Sequence, residues 1–340
     1  MKNDWVAEMF RALRDCGENI SIVYGQTPDA REGSAGGALR WFELPHDQYD
    51  GISGLGELLR GQNLRVDQLP TLRADRFSFL RGLRGVLAVL PALAVRRQHW
   101  RSDFGWSRDA GGLPASERVV RRMFTREQTQ GIVVAAKAAG VTVNTYLLFH
   151  LDAAVAAELT GPLAPRRWMI PVNLRGAVRR DAELPPQMSF LGVDIEHGLS
   201  LHGLQASVDR LKARGYHWGM WILLHLGRVL GAQGMRQDIR KRERQQHGVT
   251  GMFSNLGVWN VAGAGHWIFC PAVTRVYPVG AGCITMNGRL GLAMQLHDAL
   301  GKDLRTAQAL LDAWSRACVQ ERATAAIESA VVAPRQVANV

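Results

Sequence analysis

Apolar positions along the chain switch between helical and strand spacing without a regular βαβ rhythm. Val6, Met9, Phe10 and Leu13 share one face at helical spacing, so residues 4–15 predict a helix closed by Gly17. Residues 20–24 predict a strand, 25–37 a loop, and 38–44 a second strand that runs into Pro45-His46. A helix starts near 52–59, after a Gly turn, and residues 60–78 are polar and irregular. The apolar run GVLAVLPALAV at 85–95 is too short to span a bilayer and predicts a buried or channel-lining helix kinked at Pro91. Its borders, Arg81 and Arg84 before and Arg96 and Arg97 after, also suit an interfacial membrane helix.

Residues 101–116 predict a crossover loop between lobes. Helices follow at 127–139 and from Thr142, its cap, to about 159, with Gly161 after the end. Strands are predicted at 168–174 and 188–195, and helices at 201–214 and 218–230. Residues 236–247 are charged throughout, which fits a solvated helix or a mobile arm. Strands near 251–254, 275–278, 283–286 and 290–296 precede a helix at 304–321, and 331–340 reads as a frayed tail. The pattern predicts an α+β fold of two layers, with mixed sheets and helices packed on them. We expect two lobes, residues 1–110 and 111–330, followed by the tail.

The composition, with 47% hydrophobic and 21% charged residues among 340, supports a large core. A net charge of +11 fits nucleic acid, an anionic membrane face, or an acidic substrate such as a CoA phosphate or a carrier protein. No Lys/Arg run interleaved with stacking aromatics occurs, which argues against nucleic acid. Cys16, Cys270, Cys283 and Cys318 form no CxxC or zinc-finger spacing and are expected to be buried free thiols in a reducing compartment. The N-terminus carries no apolar signal core, so the expected location is cytoplasmic.

The segment Pro45-His46-Asp47-Gln48-Tyr49-Asp50-Gly51 is where residues and setting agree on chemistry. A His at a strand end, held by a tight turn, can present its imidazole to a cleft as a base working near neutral pH. Asp50 can fix the turn, and Gly51 is free to take a positive φ. By spacing alone, an ordinary surface residue of a polar turn is the default reading of His46; its place directly after a strand and before an apolar helix is what favours chemistry. An echo lies downstream: LRWFELPHDQYD at 39–50 and LGLAMQLHDALG at 290–301 both end an apolar strand in His-Asp. Other chemistry finds less support. Ser53 lies in GISGL, which is not GxSxG, and no GxGxxG, GxxxxGK[ST] or HExxH is present. His197 and His202 are poorly spaced for a metal, so no metal site is expected.

The segment 46–51 resembles the HHxxxDG motif of the CoA-dependent acyltransferase superfamily, which includes chloramphenicol acetyltransferase, peptide-synthetase condensation domains and wax-ester synthases. Residues 141–148 (VTVNTYLL), 169–175 (MIPVNLR), 188–194 (MSFLGVD), 253–257 (FSNLG) and 277–290 resemble further family segments in the family's order. The resemblance implies two chloramphenicol-acetyltransferase-like lobes with an active-site channel between them. It makes His46 the general base and gives Asp50 a structural salt bridge to an Arg, for which Arg175 is the candidate. Gly51 matches the motif Gly. Ser254 would stabilise an oxyanion, with Asn255 beside it. It also implies an acyl-CoA or phosphopantetheine thioester as co-substrate, with no tightly bound cofactor, an acyl carrier protein as an alternative partner, and a small-molecule or lipid acceptor. Peripheral membrane contact at the inner face fits the Arg-bordered apolar run. Two departures stand out. The motif's first His is Pro45, and only 45 residues precede His46, so the first lobe is expected to be abridged. The alternatives within this reading are a carrier-protein-dependent condensation enzyme and a non-catalytic protein that keeps the fold.

Overall fold

The amphipathic pattern of the first residues closes into helix α1 (Trp5–Asp15), which buries Val6, Phe10 and Leu13. In the computed structural model, residues 5–27, 39–71, 77–93, 99–101, 114–178, 186–229, 231–244, 248–300 and 304–332 are described. After α1 come β1 (Ser21–Thr27), β2 (Arg40–Pro45), α2 (Gly51–Gly61), α3 (Phe79–Val89), β3 (Val120–Met123), α4 (Arg126–Ala138) and α5 (Val143–Val155). The chain continues through β4 (Arg166–Asn173), β5 (Met188–Ile195), α6 (Leu201–Ala213), α7 (Tyr216–Leu226) and α8 (Gly231–Arg244). It ends with β6 (Gly251–Trp259), β7 (His266–Cys270), β8 (Val279–Met286), β9 (Arg289–Leu296) and α9 (Leu304–Val332).

Two sheets result. One has the order β2-β1-β7, and both of its pairings are antiparallel. The other has the order β3-β9-β8-β6-β4-β5, with parallel pairing where β6 meets β4 and β8. The main core lies between the larger sheet and the helices around α5 and α9, where Trp168, Phe253 and Trp314 are fully buried. Asp152 of α5 fastens that layer: it accepts from Arg166 Nε and Nη2 at 2.8 and 2.9 Å and from Trp168 Nε1 at 2.7 Å. A buried carboxylate needs such a set of donors to be tolerated. The β8–β9 hairpin turns at Asn287-Gly288, φ 51° and 79°, the positive pair that suits a two-residue hairpin.

The mixed α+β architecture expected from the pattern is present, and several elements differ from the sequence reading. Strand β7 falls where no strand was predicted, and it completes the sheet begun by β1 and β2. Residues 275–278 form no strand: Thr274 and Tyr277 close a tight turn instead. Of the two readings of the charged segment, a solvated helix or a mobile arm, the helix holds over 236–244: α8 packs against α1, buries Ile239 and pairs Arg236 with Asp15 at 3.0 Å. The expected lobe boundary near residue 110 and most of the 331–340 tail lie outside the described residues.

The run at 85–95 is the largest correction. Helix α3 ends at Val89, and Pro91 sits in a following turn of 3₁₀ helix. The helix approaches α7 through glycine, not through its leucines: a Cβ on Gly85 would sit 2.1 Å from the Gly215 carbonyl oxygen. Val89 is buried, but Leu80, Leu87 and Leu90 are 78%, 62% and 50% exposed. The expected buried or channel-lining helix is therefore a surface helix with an apolar outer face. No single described helix is long and apolar enough to cross a membrane.

Candidate active site

Strand β2 delivers the chain to a turn in which Gln48 N and Tyr49 N both donate to Pro45 O. This turn folds His46 inward until it is only 5% exposed. Its Nδ1 lies 2.8 Å from Tyr49 O. A carbonyl can only accept, so Nδ1 carries the proton and Nε2 is the basic nitrogen. Among the described residues no hydrogen bond engages Nε2. Phe10 of α1 stacks on the imidazole, with ring centroids 3.9 Å apart and planes at 18°. Burial holds the His46 pKa below its ordinary value; the Tyr49 carbonyl and the charges of Asp50 and Asp47 offset this only in part. The ring is thus neutral and ready to take a proton.

Asp47 points the other way, toward Arg14 at 3.1 Å and Arg11 at 3.6 Å, which draws α1 onto the turn. Asp50 caps α2: its Oδ1 accepts from Ile52 N and Ser53 N at 3.0 and 2.9 Å, in a capping box with Ser53. Its Oδ2 accepts from Gln187 N at 3.0 Å and pairs with Arg175 Nη2 at 2.7 Å. Both carboxylate oxygens are thereby engaged, and the Asp50–Arg175 pairing expected from the sequence forms. Gly51 does not use a positive φ. It is required for space, because a Cβ there would lie 2.6 Å from Leu256 Cδ2. Tyr24 Oη donates to its carbonyl at 2.9 Å.

Ser254 and Asn255 lie on β6, at the start of a bulge in its pairing with β8. Asn255 Oδ1 accepts from Gly257 N at 2.8 Å, and Gly257 takes φ +80° to make the bend. Bulges of this kind re-aim side chains next to active sites. A cavity of about 60 Å³ brings together His46, Asp50, Gly51, Arg175, Ser254 and Asn255, all six residues singled out from the sequence. Ser254 is buried and Asn255 is exposed, with its side-chain oxygen committed to the bend.

The second His-Asp, His297-Asp298 at the end of β9, is built differently. His297 Nε2 donates to Glu18 at 3.1 Å while its Nδ1 accepts from Ala299 N at 3.1 Å, so both ring nitrogens are used. Sequence reasoning missed the Phe10 stack, the Gln187 amide and the place of Met252 in the cavity wall. Phe10 had been legible only as an apolar helix position, and nothing local to it signals an imidazole.

No protein-family model matches the chain, and no curated protein matches it. Solved structures do. The condensation domain that mediates chain release from the enacyloxin polyketide synthase is 14% identical, with a TM-score of 0.55 over 89% of this chain and 60% of that one. Trichothecene 15-O-acetyltransferase from Fusarium sporotrichioides is 12% identical, TM-score 0.55, over 86% and 70%. The epimerization domain of the third module of tyrocidine synthetase B is 14% identical, TM-score 0.51, over 86% and 70%. The chain thus spans 60% to 70% of the length of these proteins. The α+β fold of this chain is the one these condensation and epimerization domains and the trichothecene acetyltransferase share.

Proposed function

We propose that the protein is an acyltransferase that moves an acyl group from a CoA or carrier-protein thioester to a hydroxyl or amine acceptor, without an acyl-enzyme. His46 Nε2 takes the proton of the acceptor as its oxygen or nitrogen attacks the thioester carbonyl. Ser254 donates to the oxyanion of the tetrahedral intermediate. The intermediate collapses, the C–S bond breaks, and His46 returns its proton to the thiolate. Asp50, Gly51 and Arg175 hold the turn and touch no reacting atom. The observation that carries this reading is the state of His46: buried, proton fixed on Nδ1, and facing the same small cavity as Ser254.

The test is turnover of acyl-CoA and acyl-carrier-protein donors with alcohols and amines. A positioned base contributes about 10²–10⁴-fold, so His46→Ala should lower kcat/KM by that range. Turnover that survives His46→Ala unchanged would sink the mechanism. Use of the carrier-bound donor alone would make the protein a condensation enzyme forming an amide or ester. We further propose that the reaction runs in the cytoplasm with peripheral membrane contact, for which the outward apolar face of α3 beside Arg81 and Arg84 is the support.

A further inference from the structure

A second cavity, of about 410 Å³, lies between α1, α7, α8 and the β4–β6 end of the larger sheet. A concave, mostly apolar cleft of this size is the usual form of a small-molecule site. Five of the chain's ten methionines line it: Met9, Met169, Met220, Met235 and Met252. Methionine is unbranched and adaptable, so such a wall moulds to flexible apolar guests. The charged residues on the lining have protein partners. Arg167 is held bidentately by Asp194 at 2.6 and 2.9 Å, and Arg242 pairs with Asp238 at 2.7 Å. That arrangement leaves the cavity poorly suited to a sugar or nucleotide and well suited to hydrocarbon.

The cavity lies beside the His46 pocket, with two residues of its wall reaching that pocket. Met252 lines both, and Phe10 lines the larger cavity while stacking on His46. Resting on the acyl-transfer reading, we propose that this cavity holds a linear alkyl chain of the substrate, with its reactive end at His46 and Met252 between the two spaces. By scale, an apolar cavity of about 150 Å³ accommodates benzene, so this one takes a chain on the order of twelve to sixteen carbons. The chain is the tail of the acyl donor or that of a fatty alcohol or amine acceptor; the two share this chemistry.

The test uses the intact protein and cis-parinaric acid, a fluorescent fatty acid, as the probe. Saturable binding is expected, weakened by on the order of tenfold or more in Met220→Trp. Met235→Trp, on a different helix, should do the same and guards against a folding defect in the first variant. His46→Ala should keep saturable probe binding while lowering turnover by about 10²–10⁴-fold, which separates failure of the cavity from failure of the catalytic mechanism. Two substrate series locate the source. If the tail is the donor's, turnover rises from acetyl through octanoyl to dodecanoyl-CoA, and Met220→Trp reverses the order. If it is the acceptor's, turnover rises instead from ethanol to dodecanol. Absence of saturable probe binding, or tight binding undiminished in both Trp variants, overturns the proposal.

Discussion

Arg175 Nη2 lies 2.7 Å from Asp50 Oδ2, with the two side chains 6% and 4% exposed, and the pair joins residues that follow strands of different sheets. Asp50 follows β2 and Arg175 follows β4, so the pair bolts the His46 turn onto the larger sheet. Removing one partner of a buried pair leaves an uncompensated charge. Arg175→Ala should therefore cost about 3–5 kcal/mol in stability. Urea unfolding gives the measurement, and an unchanged midpoint would refute the bolt. Arg175→Lys should recover only part of the loss, because a point charge cannot reproduce the guanidinium's hydrogen bonding.

Much of this arrangement was legible in the sequence, and what was not has physical causes. The His46 turn is local, so a strand, a tight turn and a helix cap can be read from neighbouring residues. The partner Arg175 was reached only through family resemblance, since no local pattern ties residues so far apart. Strand β7 was missed although Trp267, Ile268 and Phe269 suit a strand, because its pairing with β1 is set by tertiary contact alone. The leucines of α3 misled for the opposite reason. Apolar periodicity marks a core face by default, but here Gly82 and Gly85 make the close approach and the leucines face outward. Gly51 was assigned its freedom in φ when its role is its lack of a side chain.

The state of His46 sets a pH dependence. Burial favours the neutral ring, so its pKa lies below the ordinary value of about 6.5. The base is active when neutral, and kcat/KM should fall on the acid side with a midpoint below about 6.5. Phe10→Leu uncovers one face of the ring and should move that limb upward, toward the ordinary value. A wild-type acid limb centred at or above neutrality would contradict the assignment.

Glu18 and Glu243 form a close acidic pair. Burial and the charge of Glu18 push Glu243 up to about 7. Burial works to raise Glu18 as well, but its bond to His297 and the Arg275 amide outweigh that and hold it below its usual range. A carboxyl whose folded pKa is raised contributes stability below its unfolded value of about 4.3 and loses it as pH rises through about 7. Glu243→Gln should thus raise the melting temperature at about pH 8 and change it little at about pH 4. An equal shift at both values would count against the pair.

The outer face of α3 bears on where the protein works. Phe79, Leu80, Leu83, Leu87 and Leu90 are all exposed and fall within about 100° of the helix circumference, while Gly82, Gly85 and Val89 occupy the opposite, buried side. Arg81 and Arg84 stand exposed beside this stripe. An apolar stripe bordered by cations suits an anionic bilayer, where each Arg contributes about 1 kcal/mol and the side chains enter below the headgroups. Sedimentation with vesicles containing phosphatidylserine, at about 0.15 M salt to screen exposed charge, should retain the protein, whereas purely zwitterionic vesicles should retain less. Leu80 and Leu87 are mostly exposed, so the double variant Leu80→Ser, Leu87→Ser should fold normally and lose retention. If the double variant still sediments with the vesicles, charge alone drives the contact. If light scattering shows a dimer that the same variant dissolves, the stripe faces a second copy of the chain and not a membrane.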